Sequence, residues 1–386
     1  MKTLELVFFD AGGGHRSAAN ALCEVVRRSD RPWNMQMMNL QELLDEMDVF
    51  RKLTGIRLQD IYNLMLRRGW TLGSPTLMKG MHGVIRVLHS QQVKLLTGYW
   101  KDRRPDMVIS VIPNFNRALF QGMARALPGI PMVTILTDMA DYPPHFWIER
   151  QPQYLICGTE RARRQALSMG HAPERVFLTS GMILNPKFYE PVEVDRGRDR
   201  KALGLDPAKP TALMMFGGEG SAAMLEIARL LDTADAAAAG LDLQMIAVCG
   251  KNARLEQKMR AAAWKMPMHI VGFTRDVPKF MRLSDFFIGK PGPGSISEAV
   301  AMGLPVIIER NNWTLPQERY NADWVEEQGV GISLRSFGRG VVDAVRKMLD
   351  PAARSAFQTR VAAQKNRAVF EIPEILEKIL ADSNGR

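Results

Sequence analysis

The chain has 386 residues, of which 46% are hydrophobic and 24% are charged, a balance typical of folded globular proteins and unlike that of disordered chains. This length is sufficient for two domains with separate cores. The sequence contains no run of roughly eighteen apolar residues without a charge, so we predict no membrane-spanning helix. The apolar run at the N-terminus is too short for a secretory signal, which leads us to expect a cytoplasmic protein.

The net charge is +10, and basic clusters recur along the chain, which favours an anionic partner. Phosphate ligands, an anionic membrane and nucleic acid all fit this charge, but the chain has no motif for RNA or DNA recognition, so we expect no nucleic acid among its partners. The three cysteines, Cys23, Cys157 and Cys249, lie far apart and lack the spacing of metal ligands. We therefore predict buried, reduced thiols.

Predicted strands and helices alternate in the first half of the chain. Apolar runs predict strands at 4–9, 35–40, 107–112, 132–136 and 154–157. Helical patterns fill 17–28 and most of 41–101. Continuous apolar runs bounded by turns are typical of parallel strands buried on both faces. The alternation therefore predicts a doubly wound α/β sheet.

The same alternation restarts after a segment rich in charge and proline. We predict a linker at 191–206, between one domain at 1–190 and another at 207–386. Strands of the second half are expected at 211–216, 243–249, 269–271, 285–288 and 305–308. The stretch 351–380 has helical character, and we expect the last helix to pack back on the first domain.

Three glycine-rich turns follow predicted strands, at 10–17, 216–221 and 289–298. Glycine lets backbone N–H groups approach a ligand closely, and a helix start behind such a turn favours phosphate. Ligands of open α/β sheets bind at the carboxyl ends of strands, where these turns lie. The first turn does not read G-x-G-x-x-G, which disfavours a nicotinamide dinucleotide, and no turn reads as a P-loop. We predict a ligand in a cleft between the two halves.

The third turn is the most specific of the three. Proline and glycine alternate from Pro291 to Gly294, before Ser295, and this stiff segment can aim its amides at a diphosphate. Glu298 follows three residues after Ser295. It fits two roles equally well: a capping-box residue that holds the helix start, or a carboxylate that accepts hydrogen bonds from two ribose hydroxyls.

The ordered set of motifs resembles the monogalactosyldiacylglycerol synthase branch of the family 28 glycosyltransferases, a group that includes bacterial diglucosyldiacylglycerol synthases. The likeness extends over nearly the whole chain. The matching segments are Gly12-Gly13-Gly14-His15-Arg16, Thr137-Asp138, Gly217-Gly218-Glu219-Gly220, Cys249-Gly250-Lys251-Asn252, Gly272-Phe273, residues 291–299, and Pro316-Gln317-Glu318 with Asn321.

The resemblance implies a GT-B fold, in which two Rossmann-like, doubly wound domains face each other across a cleft. It also implies an inverting transfer of a hexose from a UDP-sugar to a lipid hydroxyl, with diacylglycerol as the expected acceptor and no metal or other cofactor. A UDP-sugar epimerase of the same fold and a non-catalytic nucleotide-sugar-binding protein are the alternatives. Which sugar is transferred and the oligomeric state are left open.

The resemblance assigns the donor site to the second domain. Its residues would be Gly292, Pro293, Gly294 and Ser295 for the diphosphate, Glu298 for the ribose, Phe273 for the uracil, Gln317 and Glu318 for the sugar, and Gly217, Gly218 and Gly250 in the loops that the donor approaches.

The first domain would supply the acceptor side and the base. His15 is the candidate general base because the pKa of a histidine lies near neutrality, although it could instead donate to the diphosphate or cap the helix. Asp138 could orient the acceptor, act as the base itself, or only cap a turn. Gly13 and Gly14 would lie beside the diphosphate. Arg16 would balance the diphosphate charge unless it is a solvated surface residue.

Two positions on the acceptor side depart from the plant-type pattern. Ile112 stands where the family has a histidine, and Pro143-Pro144, followed by His145, stands where it has a His-Pro pair. These differences leave the lipid undetermined.

The stretch 50–100 combines basic residues with aromatic and methionine side chains, among them Tyr99 and Trp100. Such a composition is typical of contact with an anionic membrane, although ordinary core and solvated charges would give the same pattern. With no spanning segment, we expect peripheral attachment to the inner face of the cytoplasmic membrane.

Overall fold

The computed structural model describes residues 1–10, 13–44, 88–233, 240–311 and 314–384, and their strands form two parallel six-stranded sheets. The strands of the first sheet are β1 (Lys2–Phe8), β2 (Trp33–Asn39), β3 (Met107–Ser110), β4 (Met132–Ile135), β5 (Tyr154–Cys157) and β6 (Val176–Leu178). The strands of the second are β7 (Thr211–Met215), β8 (Gln244–Val248), β9 (Met268–Val271), β10 (Phe286–Gly289), β11 (Val306–Glu309) and β12 (Gly331–Leu334).

Helices connect the strands in both halves. Those described in the first half are α1 (Gly14–Arg27), α2 (Leu40–Leu44), α3 (His89–Arg103), α4 (Asn116–Ala126), α5 (Glu160–Ser168) and α6 (Arg196–Ala202). Those in the second are α7 (Ala223–Leu231), α8 (Ala253–Ala261), α9 (Val277–Arg282), α10 (Pro293–Ala301), α11 (Arg319–Gln328), α12 (Phe337–Leu349), α13 (Pro351–Ala363) and α14 (Ala368–Asn384). Short 3₁₀ turns lie at Pro173–Arg175, Pro186–Phe188 and Pro316–Glu318.

Each sheet reverses its winding direction near its middle. The strand orders are β2-β1-β3-β4-β5-β6 and β12-β11-β10-β7-β8-β9, with every pair parallel. The chain leaves β1 for one side of the first sheet and returns to the other side, and the same happens between β7 and β10. Such switch points open a crevice at the carboxyl ends of the strands. The expectation of two Rossmann-like, doubly wound sheets is confirmed.

The second sheet is buried on both faces. Along β7, Leu213 and Met215 belong to one apolar core, while Ala212 and Met214 belong to the other, because alternate side chains of a strand point in opposite directions. All five residues of β7 are buried, which explains why the sequence shows a continuous apolar run and no alternation.

The last helix, α14, packs on the first sheet although it follows the second. Its Ile372, Leu376 and Ile379 are fully buried in the same core as Leu4 and Leu6 of β1. The chain therefore crosses between the halves a second time near residue 366. The limits of the two domains at 190 and 207 stay a prediction.

The predicted linker at 191–206 contains a helix. Within α6, the buried Arg200 donates to the Asp285 carboxylate at 2.8 Å and to the Leu283 carbonyl at 2.9 Å. The basic run around Arg200 suggests a solvated segment, but the pair with Asp285 ties it to the start of β10. The ends of the linker remain a prediction.

Trp100 belongs to the core, so its predicted membrane contact is wrong, whereas the contact of the partly buried Tyr99 stays a prediction. Trp100 is fully buried, and its indole N–H donates to the Glu5 carboxylate of β1 at 3.2 Å, while the Tyr99 hydroxyl bonds the same carboxylate. A buried acid on β1 needs donors from the packed helix, and these aromatics supply them. Residues 50–87 of the predicted membrane stretch lie outside the described residues.

Two further expectations bear on the fold. Within the described ranges, no helix has both the length and the apolar character needed to cross a bilayer. All three cysteines are buried free thiols, as predicted.

Candidate active site

The loops after β7 and β10 lie side by side at the switch point of the second sheet. Met215 and Gly289 are register partners at the ends of these strands. The loop segments that continue through Gly217 and Lys290 therefore lie next to each other. A Cβ placed on Gly217 would lie 3.4 Å from the Lys290 Cε, and one on Gly292 would lie 3.2 Å from the same atom. The Lys290 side chain therefore occupies the space between the two glycine turns.

Helix α10 begins in the third glycine-rich turn. Gly292 is its N-cap and Pro293 its first residue, and the Ile296 amide is the first to bond back, to the Gly292 carbonyl at 3.1 Å. The preceding amides of Gly294 and Ser295 belong to the unsatisfied first turn, where an anion is favoured. An added Cβ on Gly294 would meet no atom within 4 Å. The four residues predicted to hold a diphosphate thus form one open helix start.

Asn321 holds this turn in place. It is fully buried on α11, and its side-chain amide donates to the Pro291 carbonyl at 2.7 Å. The turn is therefore anchored through its backbone to the segment that also carries Gln317 and Glu318.

Glu298 does not act as a capping residue. The N-cap is Gly292, six residues before Glu298, so the capping-box alternative is wrong. The side chain is half-buried, and burial raises the pKa of its carboxyl to about 7, although Lys187 lowers it. In the described part of the chain, this carboxylate has no hydrogen-bond partner, which is the state expected of a group that accepts from a ligand.

The predicted sugar-contacting residues lie on the 3₁₀ turn Pro316–Glu318. The Gln317 Oε1 atom is buried and has no hydrogen-bond partner among the described residues. The Glu318 carboxylate faces the Lys290 ammonium, with Oε1 and Nζ 3.4 Å apart. An open amide oxygen and a paired carboxylate are therefore both available beside the third turn.

The remaining glycines predicted for the donor site, Gly217, Gly218 and Gly250, lie where the loop after β7 packs against the loop after β8. Gly250 has φ +62° and lies against the backbone of Gly218, whose carbonyl accepts from the Lys251 amide at 2.8 Å. Gly217 has φ +77°. These conformations and close approaches favour glycine. Phe273, the predicted uracil neighbour, is 58% exposed.

On the opposite side of the cleft, α1 begins within the first glycine-rich turn, with Gly13 as its N-cap. Gly13 has φ +78°, and an added Cβ on Gly13 or Gly14 would meet no atom within 4 Å. The His15 Nδ1 lies 3.1 Å from the Thr137 hydroxyl, and the ring also hydrogen-bonds the Val111 backbone. Burial lowers the pKa of His15 to about 4, so its imidazole is neutral at physiological pH.

Asp138 follows Thr137 and is 8% exposed. Its Oδ2 accepts from the Trp147 indole N–H at 2.9 Å. Burial raises the pKa of the Asp138 carboxyl to about 7, and the Trp147 hydrogen bond opposes this. Among the charges around it, Glu318 raises this pKa and Lys290 lowers it, so a carboxyl of the first half lies within the field of the second.

The loop after Asp138 is held by a second buried acid. Asp141 accepts from the backbone amides of His145 at 3.0 Å and Trp147 at 2.6 Å. These bonds fix the Trp147 ring, whose centroid lies 6.0 Å from that of His15. Trp147 therefore contacts both candidate bases.

Arg16 is paired within its own turn. Its guanidinium bonds the Asp10 carboxylate and stacks over the Phe8 ring at 4.8 Å from the centroid. On the acceptor side, Ile112 is fully buried in the apolar core, and His145 is exposed with φ +64°.

The structure brings Asp138 within the field of Glu318 and Lys290, and it brings Glu298 within the field of Lys187. Sequence patterns did not single out Lys290 or Trp147. Lys290 lies within the third glycine-rich turn, and its single charge at the end of a strand is a signal that could have identified it. Trp147 lies in no motif, so the sequence carries no such signal for it. In the described ranges, no group of three or more His, Cys, Asp or Glu side chains is arranged to hold a metal ion.

Residues 212–374 match the glycosyltransferase family 28 C-terminal domain. Along nearly its full length the chain is similar to plant enzymes. It is 27% identical to the monogalactosyldiacylglycerol synthase of Spinacia oleracea, over 98% of this chain and 73% of the relative. It is also 27% identical to monogalactosyldiacylglycerol synthase 1 of Arabidopsis thaliana, over 100% of this chain and 72% of the relative.

Solved structures share the fold at low sequence identity. S. aureus MnaA, in a co-structure with UDP, has a TM-score of 0.61 and 16% identity, covering 99% of this chain and 97% of its own. Acinetobacter baumannii MurG has a TM-score of 0.59 and 12% identity, covering 98% and 100%. Anabaena HepE, in complex with UDP-glucose, has a TM-score of 0.53 and 16% identity, covering 98% and 99%. The likeness supports the predicted GT-B fold.

The predicted cytoplasmic location, on the inner face of the cytoplasmic membrane, is wrong, because the spinach and Arabidopsis relatives are chloroplastic enzymes. The prediction rested on a short apolar run at the N-terminus, which bears on secretion and does not distinguish the cytosol from an organelle. Family match, relatives and fold agree with the motifs of the sequence. The chain carries a family 28 glycosyltransferase C-terminal domain and is similar over nearly its whole length to the monogalactosyldiacylglycerol synthases.

Proposed function

We propose that this chain is a glycosyltransferase that transfers a hexose from a UDP-sugar to the hydroxyl of a lipid, with diacylglycerol as the acceptor, and that the transfer inverts the anomeric carbon. The observation that carries this proposal is the position of Asp138, a buried carboxyl of the first half within the field of Lys290 and Glu318 of the second. A carboxyl that could accept a proton therefore lies near enough to the second half for Lys290 and Glu318 to affect its pKa.

The donor is proposed from the second half. The bare amides of Gly294 and Ser295 at a helix N-terminus suit a diphosphate. Glu298 offers a carboxylate for the ribose, and the Gln317 Oε1 atom lacks a partner that a sugar hydroxyl would supply. The structural relatives bound to UDP and UDP-glucose are consistent with a uridine nucleotide.

The acceptor is proposed from the plant relatives, whose name specifies monogalactosyldiacylglycerol as their product. A diacylglycerol presents a single free hydroxyl at a lipid surface, so the chain would work where that surface meets water. Ile112 fills the position of a family histidine with an apolar, buried side chain. Contacts to the lipid would therefore differ in part from those of the plant relatives.

In the proposed step, the acceptor oxygen forms a bond to the anomeric carbon while the bond from that carbon to the β-phosphate oxygen breaks. The electron pair of the broken bond leaves with UDP, and the hydroxyl proton passes to Asp138. We favour Asp138 over His15 as the base because the ring of His15 is already engaged by Thr137 and the Val111 backbone. His15 would then orient the loop and the ligand.

The test is a transfer assay with purified protein. Radiolabelled UDP-galactose, UDP-glucose and UDP-N-acetylglucosamine are each incubated with vesicles that contain diacylglycerol, and with matched vesicles that lack it. We expect label from one donor in the organic phase only when diacylglycerol is present. No transfer from any donor would contradict the proposal, and conversion of a UDP-sugar without lipid would favour an epimerase instead.

A further inference from the structure

Lys290 is the charged side chain at the centre of the donor side. It follows the last residue of β10, and glycines approach it from two directions, Gly217 from the β7 loop and Gly292 from the α10 start. A side chain at either glycine would crowd the lysine Cε atom. Both turns that are candidates for holding a diphosphate therefore converge on one ammonium group.

The ion pair of Lys290 is loose. Its Nζ lies 3.4 Å from the Glu318 Oε1, longer than the roughly 2.7–2.9 Å typical of a strong charge-assisted hydrogen bond. The lysine side chain is 36% exposed toward solvent, whereas that of Glu318 is 12% exposed. The ammonium can thus leave the carboxylate for a stronger anion without losing a well-formed bond.

We propose that Lys290 binds the β-phosphate of the UDP-sugar, exchanging Glu318 for the diphosphate when the donor enters. This inference rests on the proposed function and adds to it the cation that faces the leaving group. As the bond to the anomeric carbon breaks, its electron pair stays on the β-phosphate oxygen, and UDP thereby gains one negative charge. The ammonium beside the β-phosphate stabilises that charge.

The exchange has a consequence for Glu318, the acid that Lys290 faces. When the ammonium moves to the diphosphate, the Glu318 carboxylate is released to accept hydrogen bonds from the sugar.

The experiment measures the affinities of UDP and UMP by calorimetry, at one ionic strength, for the wild type and Lys290→Met. UMP lacks the β-phosphate, so the ratio of the two affinities isolates that group. We expect Lys290→Met to reduce the UDP-over-UMP preference roughly 10- to 100-fold while UMP binds nearly as in the wild type. Lys258→Met removes an exposed lysine of α8 and is the matched control, with the preference unchanged.

The outcomes separate the inference from the proposed function. A wild type that binds neither nucleotide contradicts the proposed function and, with it, the inference. A wild type that prefers UDP, with the same preference in Lys290→Met, overturns the inference alone.

A second variant covers the case in which Lys290→Met does not fold. Glu318→Gln removes the competing carboxylate, so UDP should bind roughly 2- to 5-fold more tightly. Unchanged or weaker UDP binding by a folded Glu318→Gln would overturn the exchange.

Discussion

The two sides of the cleft are built in different ways. On the N-terminal side, the ring of His15 and the carboxyl of Asp138 are held by neighbours through Thr137 and Trp147. On the C-terminal side, the backbone is anchored by Asn321, while Glu298 has no hydrogen-bond partner in the described part of the chain. Groups with fixed partners suit a reaction step, since their geometry is set beforehand, and open groups suit a ligand that supplies the missing bonds.

The largest effect should come from the N-terminal side, with Asp138→Asn. An amide cannot accept the hydroxyl proton, so transfer should fall by roughly 10²- to 10⁴-fold while UDP affinity stays near that of the wild type. Initial rates and UDP calorimetry measure the two quantities separately. Asp102→Asn, at an exposed position near the end of α3, should leave both unchanged. A smaller loss in Asp138→Asn than in His15→Ala would reverse the assignment of the base.

The C-terminal side is tested by Glu298→Gln. If the carboxylate binds the ribose, the wild type should prefer UDP over 2′-deoxy-UDP, and the variant should lose roughly 10-fold or more of that preference. Competition binding with both nucleotides gives the preference directly. Glu326→Gln, an exposed change on α11, is the matched control. An equal preference in wild type and Glu298→Gln would remove the ribose role.

The smallest effect is expected from Trp147→Phe, which keeps an aromatic ring and removes one hydrogen bond. The transfer rate of the wild type should rise with pH through about 7, because Asp138 must be ionised to act as base and burial raises its pKa to about 7. The Trp147 hydrogen bond lowers that pKa, so its loss raises the pKa and should move the variant's acid limb to higher pH, by about one unit. The pH–rate profile is the measurement.

Trp264→Phe is the control for this prediction. The Trp264 indole also donates a single hydrogen bond, to the Met259 carbonyl at 2.7 Å, but it belongs to the core beneath α8. Its pH–rate profile should match the wild type. If Trp147→Phe also keeps the wild-type profile, the titrating group is not Asp138.

The sequence predicts the inner strands β7, β8 and β10 of the second sheet well because they are buried on both faces. The predicted strand at 211–216 differs from β7 by one residue. The two strands that were not predicted, β6 and β12, are edge strands of mixed burial: β6 has only three residues, and β12 includes a glycine and a serine among its four. A strand that is half-covered and three or four residues long carries little signal of its own.

The site was predictable where its chemistry lies within one motif. The turn from Pro291 to Ser295 is such a case, because its conformation follows from proline and glycine themselves. Lys290 pairs with Glu318 and the Trp147 ring lies beside that of His15, and no local pattern reveals these distant partners. Arg200 shows the same limit, since its pairing with Asp285 depends on an approach across 85 residues.

The central claim is that a pyrophosphate lies between the turns after β7 and β10, in front of Asp138. A crystal structure of the protein with UDP tests it most directly. We expect the diphosphate within hydrogen-bond distance of the Gly294 and Ser295 amides and of the Lys290 ammonium. UDP bound with its diphosphate outside this crevice, or a crevice closed by side chains in the complex, would contradict the account.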